Sequence, residues 1–216
     1  MKKHPAFAKR GAVAFTLVEL MVVMGIIVIL MSLLAPAFIG IGKGSSLKAA
    51  GNNISYLAMV GRQNSLAKNA MTALVIIGNS GTGGDYRAYG LFEIEPRGDG
   101  TSPLSTDWSQ IGKWEQLPDG VAMDTCSFDA QSVAITPALP PLYYEGALVS
   151  QYQYAVFLSN GSLLSSTISQ LRLVPGFRPS GSQNVVYTEK MIAGSPADYY
   201  SITILNANGR VKIEQP

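Results

Sequence analysis

The stretch Phe15-Thr16-Leu17-Val18-Glu19-Leu20-Met21-Val22-Val23 decides how the rest of the chain is read. It opens an apolar run in which no charged side chain occurs from Leu20 to Gly42. At 1.5 Å of rise per residue, a helix of that length spans about 34 Å, enough to cross a bilayer core of about 30 Å. Before it lie Lys2, Lys3, Lys9 and Arg10, with no acid among the first fourteen residues. Basic flanks stay cytoplasmic, so the C-terminal body is expected outside. A cleaved secretory signal has an apolar core of only about 7–15 residues before its small-residue cleavage site. This run is longer and continues into further helix. A plain signal anchor explains the length but not Glu19, a carboxylate at the mouth of the apolar run, where charge is costly and normally partnered.

These residues resemble the N-terminus of the type IV prepilin family, whose members carry a basic leader, a small residue, and a Phe-Thr-Leu-Val/Ile-Glu-Leu motif opening a long apolar helix. The resemblance covers residues 9–38. It implies cleavage by prepilin peptidase between Ala14 and Phe15 and N-methylation of Phe15. Ala14 stands where the family usually has Gly. A cut after Gly11 would lose the Phe-to-Glu spacing. Pro36 stands where many members have a helix-kinking proline. Glu19 is expected to neutralise the Phe15 amine of a neighbouring subunit and so to set the axial register of packed helices. The partners implied are other pilin or pseudopilin subunits, prepilin peptidase and an inner-membrane assembly platform. The implied location is the inner (cytoplasmic) membrane, single-pass, with a periplasmic head that later joins a filament.

Three segments follow from this reading: a cleaved leader over 1–14, a transmembrane and filament-core helix over 15–42, and an extracytoplasmic head over 43–216. The head opens with more helix. Leu47, Ala50, Ile54, Leu57, Ala58, Gly61 and Ser65 recur at steps of three and four, which marks one helical face. That helix is expected over 43–69, with Pro36 and the glycines between Gly40 and Gly44 able to loosen it. From Thr72 the pattern turns to short β-like runs: Ala73–Ile77, Tyr86–Ile94, Val133–Ile135, Gln153–Leu158, Ser169–Val174, Asn184–Glu189, Tyr200–Leu205 and Arg210–Glu214. The last two flank Asn208-Gly209, a strong turn signal, and predict a C-terminal hairpin. The region from Pro96 to Pro141 reads as loop-rich, with Val133–Ile135 the strand candidate within it. The fold class expected is α+β: a long N-terminal helix packed on a C-terminal antiparallel sheet. Within the pilin-like class, the run from Ala49 to Ile77 with Leu57 and Arg62, the segment Phe157 to Gly161, and Asn208-Gly209-Arg210-Val211-Lys212-Ile213 are similar to the GspH/FimT-type minor subunits.

Composition narrows the function classes. Only 14% of residues are charged, against about 25% in average soluble chains, which suits a membrane or exported protein. The net charge of +2 is uneven. Without the four basic residues of the leader, 12 basic side chains remain against 14 acidic ones, a net of −2. The sole histidine, His4, lies in the leader, so the body lacks the residue that Ser-His-Asp and Cys-His catalysis and histidine metal sites require. Cys126 is the sole cysteine and has no internal disulfide partner; it reads as a small buried side chain. The glycines from Gly78 to Gly84 and at Gly42 and Gly44 lack the Gly-Lys-Ser/Thr of a phosphate-binding loop. Asp99, Asp107, Asp119, Asp124 and Asp129 match no EF-hand spacing and read as solvated loop acids. Trp108, Trp114, Tyr143 and Tyr144 read as core packing rather than a surface patch, and Arg62 as a solvated or ion-paired side chain. No cofactor, metal or catalytic site is expected. The main function expected is that of a structural minor subunit of a type II secretion pseudopilus or type IV pilus. The alternative is a minor pilin that binds DNA through Arg210 and Lys212 on the terminal hairpin, weakened steeply by salt.

Overall fold

The computed structural model describes residues 16–78, 81, 85–94, 102–130, 135–164, 169–179, 182, 184–192 and 194–216, without the side chains of 33–43 and 130. The chain divides into two compact units, Met1–Ile41 and Gly42–Pro216. One helix, α1 (Leu17–Lys68), contributes to both.

In the first unit the described side chains are the opening of α1. Every large apolar residue from Leu17 to Met31 is exposed, Leu17 by 75% and Met31 by 67%. Among the described residues, no helix is long and apolar enough to cross a membrane. The transmembrane segment expected over 15–42 begins at a residue outside those described and ends among side chains that also lie outside them, Pro36 included.

In the second unit α1 buries the stripe read from its periodicity: Leu47, Ala50, Ile54, Ala58, Gly61 and Ser65 are all buried. The helix ends where a left-handed residue can close it. Asn69 has φ 52°, and the Ala70 amide donates to the Ser65 carbonyl at 3.1 Å, the reverse bond of a Schellman ending. The same end is fastened to the sheet. Lys68 Nζ lies 2.9 and 2.8 Å from the two oxygens of Glu93, and Asn64 Nδ2 donates to Glu93 Oε2 at 2.5 Å.

The strands follow in chain order: β1 (Met71–Ile77), β2 (Ala88–Ile94), β3 (Trp108–Gln116), β4 (Val121–Cys126), β5 (Asp129–Ala130), β6 (Tyr143–Tyr144), β7 (Ala147–Leu148), β8 (Tyr152–Phe157), β9 (Ser169–Phe177), β10 (Val186–Tyr187), β11 (Met191–Ile192), β12 (Ser195–Pro196), β13 (Tyr200–Ile204) and β14 (Val211–Glu214). Among the described residues they form two antiparallel five-stranded sheets, where the sequence predicts one. The first has order β3-β2-β1-β8-β5. In the second, β10-β9-β13-β14 run in order while β4 pairs with the other edge of β9, opposite β13. The small hairpins β6–β7 and β11–β12 stand apart.

Alternation on β1 explains the layering. Leu74 and Ile76 join Leu47, Ala50, Ile54 and Ala58 of α1 in one core cluster, together with Leu171, Leu173, Tyr200, Ile202 and Ile204 of the second sheet. Ala73, Val75 and Ile77 point the other way, into a cluster closed by Ile135, Leu139, Leu142, Tyr144 and Val149. A strand buried on both faces reads as a continuous apolar run, as Ala73-Leu74-Val75-Ile76-Ile77 does.

Several sequence expectations are corrected here. The loop-rich region 96–141 also holds three strands that the sequence pattern does not mark, β3, β4 and β5. The Asn184–Glu189 strand shrinks to Val186–Tyr187, and the Val133 end of Val133–Ile135 lies outside the described residues. Asp124 is not a solvated loop acid. It lies on β4, its Oδ2 pairs with Arg172 Nη2 at 2.8 Å, and its Oδ1 accepts from the Tyr187 hydroxyl at 2.7 Å. Asp107 caps a 3-10 turn (Ser105–Asp107), accepting from the Leu104 amide, whereas Asp119 is the solvated turn acid expected, 98% exposed beside Arg87. Asp99 lies outside the described residues.

Two predictions arise from this packing. A Cβ on Gly51 would overlap the Tyr200 ring, so Gly51→Ala should lower stability by about 1–3 kcal/mol, the usual cost of overpacking. Chemical unfolding of the full chain in detergent measures it. The second concerns pH. Burial works to raise the Glu93 pKa, but the hydrogen bonds from Lys68 and Asn64 and the Lys68 charge outweigh it and hold the carboxyl below its ordinary value near 4.5. A depressed folded pKa contributes stability that is complete above the unfolded value and lost as pH falls through the folded one. The stability gap between wild type and Glu93→Gln should therefore be full at neutral pH and shrink steadily below about pH 4.5, as read by unfolding midpoints across pH.

Candidate functional site

The N-terminal motif forms a local structure that charge reasoning alone did not reveal. Thr16 precedes the first helical residue, Leu17. Its Oγ1 accepts from the Glu19 amide at 3.2 Å, while the Thr16 amide and hydroxyl both donate to Glu19 Oε2 at 3.0 Å. This is a capping box: Thr-x-x-Glu satisfies two orphan donors of the first turn reciprocally. The carboxylate also sits at the positive end of the helix dipole. Glu19 is the sole charged residue from Leu17 to Ser32, so the anion and its cap stand at the entrance to a helix that is apolar on all sides. Ala14 and Phe15 lie outside the described residues.

A second feature lies in the head, at the C-terminal hairpin. Ile204 pairs with Val211 across the turn Leu205 to Arg210. Within it, the Gly209 amide donates to the Leu205 carbonyl at 2.7 Å and the Leu205 amide to the Arg210 carbonyl at 2.9 Å. Gly209 has φ +62°, and a Cβ there would collide with the Gly161 carbonyl and crowd Phe157 and Arg62. Only glycine lets the turn lie so close. The Leu163 amide donates to the Asn206 carbonyl at 2.9 Å. From the helix, Arg62 Nε donates to the Asn208 carbonyl at 2.6 Å. The three head segments that the sequence singled out, Arg62 on α1, Phe157 to Gly161, and Asn208-Gly209-Arg210, thus meet at one place. Arg62 clasps the turn through Nε, while the rest of its half-buried side chain stays open to solvent, as the solvated reading expects.

Arg210 and Lys212 separate in character. Arg210 is exposed, and its side chain has no partner among the described residues. Lys212 pairs with Glu214 at 2.7 Å, and that hydrogen bond and charge raise the Lys212 pKa. The pair is solvent-exposed, with Lys212 62% accessible, so the hairpin presents two exposed cations rather than a longer row that could track phosphates.

The remaining candidates belong to the packing. Burial pushes the Cys126 thiol up to about 12, so it stays protonated and weakly nucleophilic at neutral pH. Trp108 Nε1 donates to the Pro137 carbonyl at 3.1 Å and Trp114 Nε1 to the Tyr143 carbonyl at 2.8 Å. Trp114 also meets Phe92 and Tyr144 edge to face, with ring centroids 5.4 and 6.1 Å away. Tyr143 departs from the core packing expected of it: its side chain is 60% exposed, while Tyr144 beside it is buried. Among the described residues, no group of His, Cys, Asp and Glu is placed to hold a metal ion.

No protein-family model and no curated protein matches the chain. Solved structures do. The chain is similar to the minor pseudopilin EpsH from the type 2 secretion system of Vibrio cholerae, at 12% identity and a TM-score of 0.44, over 79% of this chain and 98% of that one. It is similar also to the type IV minor pilin FimU of Pseudomonas aeruginosa PAO1, at 10% identity and a TM-score of 0.41, over 80% of this chain and 93% of that one.

Proposed function

We propose that this chain is a structural minor subunit of a type II secretion pseudopilus or type IV pilus, stored in the inner membrane and assembled through its N-terminal helix. The observation that carries the proposal is the opening of α1. Large apolar side chains from Leu17 to Met31 are exposed on every side of the helix, with Glu19 the sole charge among them. A helix apolar all round needs lipid or other apolar surfaces to cover it. A chain that moves from membrane to filament has both in turn.

The second half of the helix supports the same reading. Beyond the opening, exposed Ala49, Tyr56, Met59 and Leu66 share one helical face with polar Ser45, Asn52 and Gln63, leaving apolar side chains uncovered on that face. In this proposal, prepilin peptidase removes residues 1–14, Phe15 becomes the methylated N-terminus, and an inner-membrane platform extracts the subunit. Glu19 of one subunit then neutralises the Phe15 amine of its neighbour. Either charge buried alone would cost several kcal/mol, so one stagger of the helices is favoured. Pro36 accommodates bending of the helix within the assembly.

Two outcomes are expected. Mass spectrometry of the chain from cells that assemble it should give a mature N-terminus at Phe15 carrying one methyl group. A terminus at Ala12, or one near residues 35–37, overturns the processing step. Glu19→Ala should leave membrane insertion and processing intact while reducing recovery in sheared filaments severalfold. Glu19→Gln separates the two roles of this side chain. An amide can still complete the capping box but cannot neutralise an amine, so Glu19→Gln should assemble nearly as poorly as Glu19→Ala. Assembly restored to wild-type levels by Gln would leave Glu19 as a cap alone.

A further inference from the structure

Beside the C-terminal turn lies an open groove of about 260 Å³, lined by Met59, Arg62 and Gln63 of α1 and by Gly209, Arg210 and Val211. It has two guanidinium groups and no acid in its lining. The Arg62 Nε bond to the Asn208 carbonyl is the sole hydrogen bond of that half-buried guanidinium among the described residues. Its Nη donors remain open while the group is held in place. Arg210, on the opposite wall, likewise has no side-chain partner among the described residues. The turn packs closely on the helix here, since a Cβ on Gly209 would collide with the Gly161 carbonyl and crowd the Arg62 stem. Exposed Met59 and half-buried Val211 give the groove an apolar surface next to its donors.

We propose that this groove receives a carboxylate side chain of a partner protein, presented next to an aliphatic residue. The carboxylate accepts from Arg62 and Arg210, whose planar donors suit two oxygens, and the aliphatic neighbour lies on Met59 and Val211. Two cations in one recess favour this occupant over nucleic acid, which draws on a line of several cations and the counterions they release. The next cation along β14, Lys212, pairs with Glu214 at the surface and is not part of the groove's described lining. The inference stands on the groove itself and holds whether or not the chain assembles into filaments.

The test uses the full chain in detergent micelles and ligand-observed NMR titration. The probes are an end-blocked peptide Gly-Ser-Leu-Glu-Leu-Ser-Gly, the same peptide with Gln in place of Glu, and a short single-stranded DNA. The Glu peptide should bind at least about tenfold more tightly than the Gln peptide, in line with a charge-assisted contact. Arg210→Ala, a change at an exposed side chain, should weaken the Glu peptide about tenfold without altering the melting temperature. Met59→Asp, which puts an acid in the recess, should weaken it further, and Lys212→Ala should change nothing. Equal binding of the two peptides, or none by the Glu peptide at millimolar concentration, overturns the proposal. So does DNA binding that falls with both Arg210→Ala and Lys212→Ala, which would make this a nucleic-acid site.

Discussion

The close approach of α1 to the two sheets is the constraint on which the head depends. It is permitted by small residues on the buried stripe. Gly51 lies so near Tyr200 that no Cβ fits, and Gly61 would bring a Cβ within 3.2–3.3 Å of Leu91 and Phe157. Ala50 and Ala58 are wholly buried beside them. With this short separation, a single helix reaches residues of both sheets, and Leu74 and Leu91 of one share a core with Leu173 and Ile202 of the other. Larger side chains at 51 and 61 would lift the helix and open a gap between its stripe and the strands. Because interiors are packed to crystal-like density, such a gap forfeits contacts along the whole interface.

That interface is also fastened by polar groups away from its apolar centre. Lys68 and Asn64 hold Glu93 on β2, Tyr200 donates to Asn52 at 2.7 Å, and Arg62 holds the turn before β14. Each joins α1 to a different strand or turn, so rotation of the helix about its axis would break several at once. Within the second unit, Gly51, Arg62 and Lys68 thus fix the register of α1 against the strands and the turn.

Much of this was legible in the sequence, for identifiable reasons. The stripe from Leu47 to Ser65 shows itself because helical burial repeats at 3.6 residues. β1 shows itself because a strand buried on both faces leaves an unbroken apolar run. Asn208-Gly209 marks the hairpin because the turn needs a positive φ. β3 was missed because it is an edge strand whose face is mostly exposed: Ser109, Gln110, Gly112 and Lys113 carry no apolar alternation. β4 was missed because its strand pattern breaks at Asp124, whose partners Arg172 and Tyr187 lie far along the chain. The division into two sheets depends on pairings such as Met123 with Leu173, which no local pattern encodes. The Arg62 clasp was hidden for the same reason. The capping box was open to view as Thr-x-x-Glu, but Glu19 was read for its charge and not for its spacing from Thr16.

The cap and the proposed register role do not compete for the Glu19 carboxylate. Both bonds from Thr16 go to Oε2, and Oε1 has no partner among the described residues. A carboxylate has lone pairs on both oxygens, so one oxygen can close the helix start while the other accepts from an amine. The cap improves that second role. An unrestrained glutamate loses rotamer freedom when it pairs, whereas here Thr16 has already fixed the side chain at the N-terminal end of the helix. The same cap reduces the penalty of carrying a carboxylate before any neighbour arrives, because two donors and the helix dipole already stabilise it. A side chain that is tolerable alone and better still beside a cation is what a subunit needs if it must wait in one environment and pack in another.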